Sequence, residues 1–459
     1  MYSMQPLMRL VYGPKSCAIS AQLISSPFLN YAFVTQSGRM DRRLKYQVIS
    51  SSFLNDISCL LFTVALDIKI MGFFINDFEK FTPGSSGNCR NLMYSAPDTC
   101  LSNYTDPAIS QNLLEKIQNT SFRKIRLMEV CGTHTVSILK NGIKGLLPKS
   151  VSLISGPGCP VCVTSTHEID SFITLARQEN VILTAFGDLA RVPGTNSSLS
   201  EEGANGFDIR YIYSPADALD IAKKNPEKKV VFAGVGFETT APLVASTIFL
   251  AEKLKIDNYY VFSAHKLMPP ALFALMNMGK TKIDGFLLPG HVSAIIGEQA
   301  YIPFFNQYHI PSIISGFEPV DILQGISALV KQIESGTPML ENGYSRIVSF
   351  NGNRWAQKIM HQVFETTDAL WRGLGMISGS GLGIKNEFAH RDAVKNFLLK
   401  IEKTEIKNGC ICGEIITGVK TPEDCPLYKN TCTPLHPVGP CMVSGEGTCG
   451  AYFRYHGNC

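Results

Sequence analysis

Charge is scarce in this chain. Asp, Glu, Lys and Arg make up only 17% of its 459 residues, and a net charge of +4 over that length leaves no electrostatic footprint for nucleic acid. Long hydrophobic runs are missing too. The richest stretch, residues 53–75, is broken by Asp56, Asp67 and Lys69, well short of the ~20 uninterrupted apolar residues a membrane span needs. No secretory apolar core precedes the cysteines, so they do not read as an extracellular disulfide framework, and the chain is expected in the cytoplasm. No Walker lysine follows any glycine-rich turn, which leaves ATP hydrolysis unassigned to this chain. What is plentiful is apolar and aromatic: 45% hydrophobic residues with 26 Phe and 16 Tyr exclude disorder for most of the length. The length suggests about three domains.

Residues 1–40 contain no Asp or Glu and carry Arg9, Lys15 and Arg39, the look of an organellar presequence and equally of chance. Residues 82–105 are rich in Gly, Ser, Pro and Asn and read as linker. Residues 1–103 are therefore expected to be a poorly ordered or dispensable extension.

From there one unit recurs: a short β-rich run, a Gly/Pro/Cys/His turn, then a helix-like segment. The runs are 125–130 before CGTH, 151–155 before GPGCPVC, 181–185 before FGD, 230–233 before GVGFETTAP, 259–263 before AHKLMPP, 285–288 before PGHVS and 312–315 before GFEP. Right-handed crossovers would line these turns along the carboxyl edges of parallel strands, where open α/β sheets bind ligands. The Lys-rich segment 223–229 divides the units, giving two similar open parallel-sheet α/β domains facing a cleft, at 104–222 and 223–344. A third, mainly helical and loop domain at 345–459 is expected to hold a helix over 355–374, a Gly-rich connection, a charged helix over 387–403 and a Cys-rich tail.

Several turns carry chemistry. Cys159 and Cys162 form a CxxC at a strand-to-helix turn, where a helix amino end lowers a thiol pKa and dithiol/disulfide couples operate; a metal site would need further ligands from elsewhere. Cys131 and His134 pair a thiol with an imidazole past another strand end, as a nucleophile or a soft-metal ligand. His265 and His291 end two further strands and are each readable as structural, while Asp188 and Glu318 are readable as helix caps. GVGFETTAP lacks the third glycine of a dinucleotide loop, and its Glu238 suits a helix start. In the tail, Cys410, Cys412, Cys425, Cys432, Cys441 and Cys449 lie on Gly/Pro-rich loops with only His436 among them. That composition fits an iron–sulfur or Cys-only zinc site, and spacing alone does not choose four from six.

Together, MEVCGTHT, GPGCPVCVT, FGDLARVPG, GFETTAP, GFEP and DCPLYKNTCTPLHPVGPCMVSGEGTC resemble the hydrogenase maturation factor HypD family, in order from about residue 105 to 455. The resemblance implies a redox-active assembly scaffold, rather than a stand-alone turnover enzyme, for the Fe(CN)2CO group of nickel–iron hydrogenase. It would work with a small HypC-type partner and receive cyanide from a HypE-type donor, with no nucleic acid or membrane involved. The family pattern C-x14-C-x6-C-x16-C falls on Cys410, Cys425, Cys432 and Cys449 as ligands of a 4Fe-4S cluster, leaving Cys412 and Cys441 as supporting or structural thiols. Cys131 carries over as iron ligand with His134 adjacent, and Cys159 and Cys162 as the dithiol. The rival readings are an iron–sulfur dithiol oxidoreductase acting on a small molecule, for which the Cys131–His134 pair has no use, and a zinc-stabilised binding module.

Overall fold

The structure, a computed structural model, describes residues 19–26, 29–36, 103–399 and 409–456. The chain divides into two units, Met1–Ala96 and Pro97–Cys459. In the first, strands β1 (Ile19–Ser26) and β2 (Leu29–Gln36) pair antiparallel. The other expectations for the leading segment, a presequence or an unordered extension, fall outside the described residues.

Two open parallel sheets organise the second unit, and every one of the seven expected strand-and-turn units is there. One sheet contains, in spatial order, β11 (Leu340–Asn342), β10 (Ser312–Ser315), β9 (Gly285–Pro289), β3 (Ile125–Glu129) and β4 (Val151–Ser155). The other contains β6 (Ile209–Ile212), β5 (Val181–Phe186), β7 (Lys229–Gly234) and β8 (Tyr259–Ser263). Alternation along each strand separates three cores. Ile125, Leu127 and Leu287 pack outward beneath helices Pro107–Thr120 and Pro319–Ser335. Ile182, Val230 and Phe232 pack outward beneath helix Ala241–Leu254. The opposite faces, including Met128, Val130, Leu183, Val231, Phe286 and Leu288, join one inner core shared by both sheets. Burial on both faces explains why these strands read as continuous apolar runs.

Strand membership corrects the expected division at residue 222. The sheet begun by β3 and β4 is completed by β9, β10 and β11, while β5 to β8 form the other sheet as an insertion. The Lys-rich segment 223–229 is therefore a loop inside one sheet, between helix Pro215–Lys224 and β7, and not a boundary. The region after 345 also differs from expectation. The helix spans only Arg354–Val363, after which β12 (Phe364–Trp371) and β13 (Gly375–Ile384) form an antiparallel hairpin. Thr, Phe and Trp favour strand in β12, and the glycines that read as a loop sit in β13 where Gly381 and Gly383 lie against Thr367. The charged segment that follows is a 3-10 turn, Asn386–Arg391, and a four-residue helix, Ala393–Asn396, separated where Asp392 caps the second. Arg391 is held out of any longer helix by bonds to Glu252 and Ile256 O. No helix among the described residues is long and apolar enough to cross a membrane.

Candidate thiol and metal centre

Cys131 follows β3 and is the N-cap of helix Gly132–Lys140. Its neighbour across the sheet edge is the loop after β4, whose Gly158 accepts a hydrogen bond from Gly132 N at 3.0 Å. The approach is so close that a Cβ on Gly158 would fall 2.2 Å from Cys131 N and 2.4 Å from Cys131 Cα. Because Gly158 immediately precedes Cys159, the Cys131 turn and the CxxC turn are main-chain neighbours. Burial pushes the Cys131 thiol up to about 12, with the Glu446 charge adding to the rise and the amides of His134 and Thr133 opposing it.

His134 is buried, and its Nε2 lies 2.9 Å from the carbonyl of Gly316, to which it donates. Burial lowers its pKa to about 4, so the ring is neutral and Nδ1 keeps a free lone pair, with no hydrogen-bond partner among the described residues. The His134 ring packs on Phe317 at 4.7 Å between centroids, and His291 stacks on the same Phe317 at 4.0 Å. His291 is thus brought to the Cys131 surroundings, as its place at the end of β9 suggested; burial lowers it to about 4 as well.

The CxxC thiols sit together, Cys162 Sγ 2.6 Å from Cys159 Sγ, and the amide of Cys162 donates to Cys159 Sγ at 3.3 Å. The expected lowering of the thiol pKa by a helix amino end does not extend to Cys162. Complete burial first, and the hydrogen bond with Cys159 second, push it well above the usual thiol value, and the helix Pro160–Val163 is only four residues long.

The tail encloses a pocket lined by Cys410, Cys412, Cys425, Cys432, Cys441 and Cys449. Among the described residues no group of three His, Cys, Asp or Glu side chains is gathered tightly enough for a single metal ion. The sulfurs instead surround a space walled otherwise by Ile415, Leu427, Tyr428 and Met442, and the amide of Val438 donates to Cys432 Sγ at 3.3 Å. An all-thiol donor set around an apolar pocket with an N–H···S bond fits an iron–sulfur cluster. The tail also reaches the CxxC. The helix Pro440–Val443, which carries Cys441, packs on the CxxC helix and brings Cys441 beside Cys162.

The remaining candidates divide. Glu318 is the N-cap of helix Pro319–Ser335, its amide bonded to Asp321, as the cap reading expected. Asp188 sits in the three-residue turn Gly187–Leu189 and does not open a long helix; burial raises its pKa. Glu238 caps a helix other than its own, accepting from Met268 N at 2.9 Å, and burial raises it to about 7. His265 is buried at the end of β8 beside Ser263, with burial lowering it to about 3.

Comparison with known proteins identifies the family. Residues 108–456 match the family model described as "HypD: Hydrogenase formation hypA family". The chain is 41% identical over 366 residues to the hydrogenase maturation factor HypD of Escherichia coli, covering 79% of this chain and 96% of that one. It is 42% identical over 361 residues to HypD of Azotobacter vinelandii, covering 77% and 95% respectively. A putative hydrogenase expression/formation protein of Methanocaldococcus jannaschii is 40% identical over 355 residues, 77% of this chain and 99% of that one. The chain belongs to the HypD family.

For a HypD-family chain the structure adds residues that motif reading passed over. Glu129, buried two residues before Cys131, accepts from Cys131 N at 3.1 Å and Thr135 Oγ1 at 2.5 Å, and burial raises it to about 8. An acid inside the apolar run of β3 was the available signal. Glu446 from the tail accepts from Thr133 Oγ1 at 2.7 Å, closing the turn below Cys131. Cys412 and Cys441, expected as supporting or structural thiols, line the pocket with the other four, and Cys441 also lies beside Cys162.

Proposed function

We propose that this hydrogenase maturation factor assembles the Fe(CN)2CO group, with Cys131 as the chain's ligand to the cargo iron and a HypC-type small protein holding its other side. The observation that carries the reading is the packing of the Cys131 turn on the CxxC turn at Gly158, with the cysteine-lined tail pocket beyond Cys162. A buried thiol at about 12 is a poor nucleophile but a good waiting ligand, since a bound cation replaces its proton outright.

Cyanide would arrive as a thiocyanate on a HypE-type donor. The dithiol of Cys159 and Cys162 reduces it: the sulfur–carbon bond of the thiocyanate breaks, cyanide passes to iron and the donor leaves as a thiol. The two electrons come from the CxxC sulfurs, which form a disulfide and release two protons, one to the donor thiol and one with cyanide. Cys410, Cys425, Cys432 and Cys449 would hold a 4Fe-4S cluster, which supplies single electrons when bound. Cys441 and Cys412 line the same pocket, and Cys441 faces Cys162.

Anaerobic co-purification with the small partner tests this. The expected chain is brown, with about four irons per cluster, and shows iron–cyanide infrared bands. Cys131→Ala should keep the cluster and lose those bands. Zinc as the sole metal, or bands retained in Cys131→Ala, would defeat the assignment.

A further inference from the structure

In the turn Val130, Cys131, Gly132, two amides are held by main chain and one is not. Val130 N donates to Leu287 O at 3.3 Å and Gly132 N to Gly158 O at 3.0 Å. Cys131 N donates instead to a side chain, Glu129 Oε2, at 3.1 Å. The other oxygen, Oε1, accepts from Thr135 Oγ1 at 2.5 Å, and that hydroxyl also lies 3.4 Å from Cys131 O, its alternative acceptor. One carboxyl therefore ties the Cys131 main chain, extended at φ −147° and ψ 124°, to helix Gly132–Lys140. The main-chain carbonyl of Glu129 accepts from Gly156 N at 2.7 Å, at the start of the loop that leads to Cys159. Glu129 is 2% exposed, between the fully buried Met128 and Val130. Burying an acid at a strand position that an apolar residue could fill is unfavourable unless its oxygens are bonded, and here Cys131 N and Thr135 Oγ1 bond them.

We propose that Glu129 is the positioning residue of the iron-ligand turn: its carboxyl fixes the Cys131 main chain, and with it the direction in which Sγ leaves the strand, relative to the CxxC loop that its own carbonyl holds. The inference rests on the reading of Cys131 as ligand to the cargo iron. Sites of this kind work only when the reacting groups are held to within about 0.5 Å by a supporting shell. What Glu129 supplies is an acceptor in the right place, so an amide can stand in for the acid. Glutamine keeps an oxygen for Cys131 N, and its NH2 can donate to Thr135 Oγ1 once that hydroxyl turns to Cys131 O. Methionine fills similar space, and its thioether is only a weak acceptor.

The test is infrared spectroscopy in the iron–cyanide region on the full chain purified anaerobically with its small partner, with the dithiol midpoint of Cys159 and Cys162 measured on the same samples. Glu129→Met should lose about tenfold or more in band intensity with that midpoint unchanged, and Glu129→Gln should stay within about threefold of wild type at unshifted frequencies. Glu129→Met bands within about threefold of wild type and unshifted overturn the proposal. So does a Glu129→Gln loss as large as that of Glu129→Met, which assigns the effect to the acid and not to position. A Glu129→Met chain whose dithiol midpoint moves together with its bands also overturns it, since the whole sheet edge is then disturbed. Should Glu129→Met fail to fold, Thr135→Val, which removes the hydroxyl that orients the carboxyl, decides: a loss beyond about threefold supports the proposal and a smaller one overturns it. A wild-type chain without iron–cyanide bands, or bands retained in Cys131→Ala, would instead remove the functional reading on which this stands.

Discussion

Replacing Gly158 by alanine should damage the protein out of proportion to one methyl group. The added Cβ would meet Cys131 N at 2.2 Å, and Cys131 Cα and Val130 C each at 2.4 Å. Carbon atoms settle at about 3.5–4.0 Å, so roughly 1 Å of movement is required. The obstructing atoms are main chain at a strand-to-helix junction, not a flexible side-chain end. Overpacking costs about 1–3 kcal/mol, and a rigid obstacle puts this case at the upper end. The Gly132 N to Gly158 O bond goes with it, for about 1 kcal/mol more, giving about 4 kcal/mol in all. Anaerobic urea unfolding followed by far-ultraviolet circular dichroism measures the loss. Gly203, in helix Leu199–Ala204 with nothing within 4 Å of an added methyl, is the control. Alanine there should be neutral or stabilising by up to about 1 kcal/mol. The same movement separates Cys131 from Cys159, and a 1 Å misplacement of reacting groups can cost on the order of 100-fold in rate. A Gly158→Ala midpoint equal to wild type, or an equal loss in Gly203→Ala, refutes the close-approach reasoning.

Three further outcomes follow from buried charge. Glu238 is raised to about 7 by burial, so the folded state holds its proton where the unfolded chain has lost it, and stability declines as pH rises from about 4.5 through 7. Glu238→Gln should flatten that decline by on the order of 3 kcal/mol between pH 5 and 8, read from urea midpoints; an unchanged slope argues against a buried neutral acid. His265 is lowered to about 3, so the unfolded chain takes up the proton first and stability is lost as pH falls below about 6.5. His265→Asn should lessen the acid-side loss, and a steeper loss would contradict the assignment. Lys266, 1% exposed, pairs with Glu168 at 2.5 Å. Lys266→Met alone should cost about 3–5 kcal/mol by stranding the carboxylate, whereas adding Glu168→Met should recover much of it; single and double variants that unfold together would show that the pair is not coupled.

The seven expected strands were legible because each is a mainly buried apolar run that gives way to a Gly, Pro, Cys or His turn. Two edge strands were not: β6 carries the half-exposed Arg210 and Tyr211 in place of an apolar run, and β11 is three residues long. The hairpin was hidden for a different reason. Gly373 and Gly375 do serve the turn, with positive φ, but Gly381 and Gly383 serve the close approach of Thr367, a fact that lives in cross-strand contact and not in local propensity. The site's primary thiols could be named from turns alone, since Cys131, Cys159 and Cys162 each follow a strand. Glu446 could not, because its meaning comes from a contact with Thr133, 313 positions away.

That separation in sequence bears on how the centre can work. β3 and β4 are neighbours in one sheet, so Cys131 and the CxxC are positioned by a ladder that also anchors both outer helices. The tail has no such frame: among the described residues after 409 its longest helix is Thr448–Tyr455, and it meets the rest of the unit through side chains. Three of those contacts land beside the primary thiols, from Glu446 to Thr133, from Cys441 to Cys162, and from Tyr452 to Lys144. Ile415, Ile416, Met442 and Tyr452 order the tail by packing into the inner core, and ligation of its thiols, as proposed above, would add to that order. Occupancy of the tail pocket and the surroundings of Cys131 are then linked through the same segment, because whatever orders Cys441 and Cys449 also holds Glu446 between them against the Cys131 turn.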